Sequence, residues 1–133
     1  MVESFLSFGL FFITAVVLVG LFLVLYALVT PYDDYELIFH ENNMAASLAF
    51  SGAILGFSIP LYSALVSSVS YGDFLLWGCV AMMIQLLFAL VFTRLPNKFS
   101  LQTQIVEGVV PVGTLMAFLS ISIGLLNAGS MSY

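Results

Sequence analysis

The chain has 133 residues, 62% of them hydrophobic and only 7% charged, with a mean hydropathy of +1.19, whereas a soluble domain carries about 25% charged residues. One small aqueous core cannot cover that much apolar side chain, which excludes a soluble globular fold and makes the lipid bilayer the first partner. The net charge of -5 comes from seven scattered acids, and two basic residues, Arg94 and Lys98, are too few to neutralise a phosphate track, which excludes nucleic acid.

Phe5 to Val29 is apolar apart from Ser7, Gly9, Thr14 and Gly20, and it exceeds the roughly 20 residues that cross a hydrocarbon core. The segment is expected to be a retained first span. A secretory signal would have a basic start and a shorter apolar region, whereas this chain begins Met1-Val2-Glu3. Thr30-Pro31-Tyr32-Asp33-Asp34-Tyr35 ends the span, because proline and paired aspartates require water or headgroups around them. The next helix is expected to start between Glu36 and Asn43, and the second span covers about 44–69.

Ser70 to Asp73 then makes a short turn, and the third span covers about 74–92. A connection containing Arg94, Pro96, Asn97 and Lys98 leads to the fourth span, about 109–128. Lipid satisfies no backbone groups and the runs do not alternate, so each span is expected to be helical. The bias of basic residues toward the cytoplasm places the Arg94/Lys98 connection inside and both termini outside.

Small residues recur at Ala45, Ala49, Gly52, Gly56 and Pro60 in the second span, and at Gly113, Ala117, Ser120, Gly124 and Ala128 in the fourth. Both rows have spacings of 4, 3, 4 and 4 and differ by a constant offset of 68, which is helical periodicity repeated. A duplicated two-helix unit in parallel orientation, residues 1–70 and 71–133, accounts for the echo. Rows of this kind let helix backbones approach closely in lipid, so the second and fourth helices are the expected packing core.

Glu41 and Glu107 each precede a small-residue helix. Either they interact with the positive helix terminus among headgroups, or together they form a cation or proton site at the mouth of the bundle. His40 beside Glu36 and Glu41 offers an acid and imidazole pair, but one histidine is a poor basis for a metal centre, and no metal is assigned. Pro60 cannot donate to the carbonyl of Gly56, so Gly56 and Pro60 mark an expected helix kink. Gln85 is expected to hydrogen-bond across helices, since facing lipid would be costly. Trp77 and Tyr71 suit the membrane interface. No nucleophile, base and orienting group occur together, and Cys79 is the sole cysteine, so neither an enzyme nor a cofactor is expected.

Glu41-Asn42-Asn43-Met44-Ala45-Ala46 leading into Ser51-Gly52-Ala53-Ile54-Leu55-Gly56, with the later Gly124-Leu125-Leu126-Asn127-Ala128, resembles the YjfL-like small inner-membrane proteins, domain of unknown function 350. The resemblance spans nearly the whole chain and implies paired two-helix repeats in a bacterial inner membrane. The second half departs from the pattern at Gly108, Val109 and Val110.

The expected fold is therefore all-α, an integral membrane four-helix bundle with the two tandem repeats. The expected function is that of a non-enzymatic, homo-oligomeric channel or transporter component for a small cation or solute. The alternative is a membrane scaffold that holds a membrane or cytoplasmic partner protein through its acidic loop.

Overall fold

A computed structural model describes residues 1–94 and 101–131. Pro96, Asn97 and Lys98 lie outside the described residues, and with Lys98 one of the two basic residues behind the expected orientation. The described residues form six helices, in two sequences of long, short, long: α1 (Val2–Val29), α2 (Asp34–Phe39), α3 (Met44–Ser67), α4 (Tyr71–Arg94), α5 (Leu101–Val106) and α6 (Val110–Ser130). The four long ones are apolar enough to cross a membrane, and even the 21-residue α6 measures about 32 Å at 1.5 Å per residue, enough for a hydrocarbon core of about 30 Å.

The helix limits follow from local chemistry. Thr30 is extended at φ -69, ψ 143, the conformation that a following proline imposes, and α1 stops there. Asp33 accepts a hydrogen bond from the Glu36 backbone N–H at 3.2 Å and caps α2. Asn43 accepts from the Ala46 N–H at 3.0 Å and caps α3. At the next turn Ser70 accepts from the Asp73 N–H while Asp73 accepts from the Val69 N–H, a reciprocal cap that starts α4 at Tyr71, slightly ahead of the expected Phe74. The six-residue helices α2 and α5 were not resolved as elements by hydropathy, because each is too short to show a period.

Helices α3 and α6 lie parallel and nearly in backbone contact. A Cβ added to Gly113 would fall 2.4 Å from the Ala45 carbonyl oxygen, one on Gly52 would fall 2.3 Å from Ala117 Cα, and one on Gly124 would fall 2.0 Å from the Gly56 oxygen. Farther along, the Ser63 hydroxyl donates to the Ala128 carbonyl at 3.3 Å. The two small-residue rows thus face each other, and close approach with dispersion contact replaces the hydrophobic drive that lipid does not supply.

Helix α1 runs antiparallel to α3 through aromatic contacts, Phe22 stacked on Phe57 at 4.7 Å and Tyr26 edge-on to Phe50 at 5.2 Å. It runs parallel to α4, where Thr14 and Tyr71 share a hydrogen bond of 2.8 Å, Phe11 meets Phe74, and Arg94 donates to the Val29 carbonyl. Much of α1, including Phe5, Phe8, Val16 and Val24, is exposed on the outside of the bundle.

Candidate functional site

Polar chemistry is concentrated in three places, the first being the corner that holds α2 and α5. After each of these helices comes one residue in the left-handed region, Asn42 at φ 53 and Gly108 at φ 78, residue types that tolerate this conformation. Next come the caps of the following spans, Asn43 and Val109. Glu41 and Glu107 therefore occupy matching places in the two turns, at a local offset of 66 instead of the 68 that relates the small-residue rows. The Asn43 side chain joins the turns directly: its Nδ2 donates to the carbonyls of Ile105 at 2.8 Å and Val106 at 3.2 Å. His40, Glu41 and Glu107 are all exposed. Among the described residues no group of three or more His, Cys, Asp or Glu side chains converges.

The second place is near mid-membrane, where α3, α4 and α6 meet. Helix α3 continues without interruption through Pro60, which has no N–H to offer the Gly56 carbonyl. That oxygen faces the Gly124 backbone, close enough for a weak Cα–H contact to take the place of the missing donor. The Gln85 amide comes against Gly56 and donates to the Ser120 carbonyl at 3.3 Å. Gln85 is 4% exposed, and its Oε1 is buried without a hydrogen-bond partner. Asn127 is buried nearby, donating to the Ala81 carbonyl at 3.4 Å. Of the residues singled out in the sequence, Ala45, Gly52, Gly56, Gly113, Ala117, Ser120, Gly124 and Gln85 are thus brought together, while Glu41, Glu107 and His40 lie at the surface of the corner. A groove of about 510 Å³ walled by Val29, Val80, Met83, Ile84, Leu86, Leu87 and Leu90 is wholly apolar and contains none of them.

The third place escaped sequence reasoning. Asp34, read in the sequence as one of two hydrated aspartates, is 1% exposed. Its Oδ2 accepts from the Thr30 hydroxyl, while its Oδ1 has no partner. The hydroxyls of Tyr26 and Tyr32 are also buried and unpartnered, and both feel the Asp34 charge. Burial pushes the Asp34 carboxyl up from 3.8 to about 6, against the Thr30 hydrogen bond that lowers it, with the neighbouring Asp33 charge adding to the rise. Burial, and then Asp34, hold the Tyr32 hydroxyl well above the ordinary tyrosine value. One signal was available in the sequence. Asp33 and Glu36 have the spacing of a capping pair, which puts Asp33 at the solvated cap and carries Asp34 into the first helical turn, four residues beyond Thr30.

A family model described as Domain of Unknown Function (DUF350) matches residues 1–131. The chain belongs to the DUF350 family. The UPF0719 inner membrane protein YjfL of Escherichia coli K12 is 39% identical to it over 132 residues, covering 98% of this chain and 97% of the relative. The transmembrane protein YshE of Bacillus subtilis is 25% identical over 121 residues, covering 91% and 90%. No solved structure matches. The DUF350 match takes in all four long helices and both short ones, so every place described above lies inside the family region. The protein is accordingly a DUF350 membrane protein with four helices able to span the bilayer.

Proposed function

We propose that this protein is a non-enzymatic subunit of a homo-oligomeric transporter or channel for a small cation or polar solute. The observation that carries the reading is the unpaired, buried Gln85 Oε1 at the junction of α3, α4 and α6, beside a Gly56 carbonyl that Pro60 leaves without its helical donor. A polar oxygen kept unsatisfied inside hydrocarbon is costly, and such a group at membrane depth is well suited to an ion or solute that passes through.

The α3–α6 pair has no lumen of its own, since its backbones touch, so movement of α4 against that rigid pair would open the junction. The tandem units 1–70 and 71–133 belong to the same reading, as does a cytoplasmic position for the corner that carries Arg94. Glu41 and Glu107 then stand at the mouth of the path.

Purified protein reconstituted in liposomes should pass Na⁺, K⁺ or H⁺ down an imposed gradient. Gln85→Leu, which removes the buried oxygen and keeps a similar volume, should slow that flux by about ten-fold or more while leaving yield and oligomer size unchanged. Vesicles as tight as protein-free ones under every gradient would remove the reading.

A further inference from the structure

We infer that the oxygens of Tyr26, Thr30, Tyr32 and Asp34 form a binding site for a small, hard monovalent cation of the sodium class, at the corner between α1 and α2. The site is built rather than incidental. Asp34 and Tyr26 are each 1% exposed, and three polar atoms, Asp34 Oδ1 and the two tyrosine hydroxyls, are buried in one corner with no hydrogen-bond partner. Buried polar groups in proteins are nearly always paired, so three unpaired in one place call for a guest.

The donor set identifies the guest. All the atoms are oxygens, which suits a hard cation and excludes soft metals. A carboxylate in the set excludes an anion. The charge is a single one, because the Asp33 carboxylate is exposed and accepts from the Glu36 N–H instead of joining the cluster, and one negative charge balances one monovalent cation.

Among the described residues no cationic side chain bonds the Asp34 carboxyl. Arg94, at the end of α4, keeps its charge but donates to the carbonyls of Leu28, Val29 and Thr30 and not to the Asp34 carboxyl, whose Oδ1 stays unpartnered and whose burial no cation offsets. From α2 and its caps, Asp33 and Glu36 add negative charge, while Tyr35 and His40 are exposed. Helix α3 presents Phe50 to Tyr26 and has no ionisable residue before Tyr62, and α5 and α6 have none. Lys98 is outside the described residues. The raised Asp34 pKa fits the same picture, since the empty site holds a proton more readily than a bare charge.

Cation binding and protonation then exclude each other. A cation entering a protonated site takes the place of the Asp34 proton, so the carboxylic acid becomes a carboxylate paired with the cation and one H⁺ leaves to solvent. As a loading site for a transported cation this rests on the transport reading; as a site of equilibrium binding it stands alone.

The full-length protein in detergent, in weak buffer near pH 6, should release protons, less than one per chain, when NaCl is added. Choline chloride at the same ionic strength should release none. Asp34→Asn should abolish the release, and Tyr32→Phe, which removes one oxygen and keeps the ring, should raise the NaCl concentration needed by about five- to ten-fold. The same release with choline, or release undiminished in both variants, would overturn the site. Should Asp34→Asn fail to fold, Tyr32→Phe alone decides. Proton release without vesicle flux would sink transport and leave the site standing, and flux without proton release would do the reverse.

Discussion

Asp33 and Asp34 are adjacent and chemically identical, yet they experience different solvents. Asp33 sits at the cap of α2 in water, and Asp34 is turned under the corner against Thr30. The consequence for stability has a definite sign. The folded protein raises the Asp34 pKa from 3.8 to about 6, so the protonated form is the one that folding favours. This contribution is fully present below about pH 4 and is lost as the pH rises through about 6. A rise of that size corresponds to roughly 3 kcal/mol. In cation-free detergent solution, Asp34→Asn should therefore be more stable than the parent at pH 7.5 by an amount approaching that figure. The difference should shrink toward zero near pH 4, as read by titration with a denaturing detergent. An equal difference at both pH values would contradict the burial of this carboxyl.

For the helices as elements, contact is decided by which glycines meet backbone. Gly124 faces the Gly56 carbonyl so closely that no Cβ fits, and the obstacle is main chain, which cannot swing away as a flexible side chain would. Gly124→Val should cost upward of about 3 kcal/mol or force α6 away from α3. Gly9 and Gly20 on α1 have nothing within 4 Å of an added Cβ, and Ala at either should be neutral or stabilising by up to about 1 kcal/mol, from helix propensity alone. Thermal unfolding in detergent of the two sets of variants checks both halves of this expectation. The small-residue rows were visible in the sequence because their period is local. Their opposition across one parallel interface, with a longitudinal offset that drifts toward 66 at the corner, depends on how two helices are rotated and shifted, which neither helix specifies by itself.

Across the whole molecule, the two halves are joined by the α3–α6 interface along the membrane and by Asn43 at one end. Asn43 caps α3 and donates to two carbonyls of the other half. Asn43→Ala removes the cap and both donations together and should lower stability by roughly 2 to 3 kcal/mol. The loss should appear first as faster amide exchange at the ends of α2 and α5, before the spans themselves open.

The sequence by itself determined the solvent, the helical class and the four spans. Transfer of side chains to hydrocarbon, and the demand of backbone groups for partners there, accumulate residue by residue along the chain. Only the tertiary structure decided that Glu41, Glu107 and His40 are exposed while Asp34, Tyr26 and Gln85 are buried with oxygens unpaired. Burial of a polar atom depends on which residues from distant parts of the chain close over it. Thr30 and Pro31 turn the chain from α1 into α2, whose cap spacing is legible although the closure over Asp34 is not, and α4 brings Gln85 against Gly56, which leaves no period or spacing in the linear text.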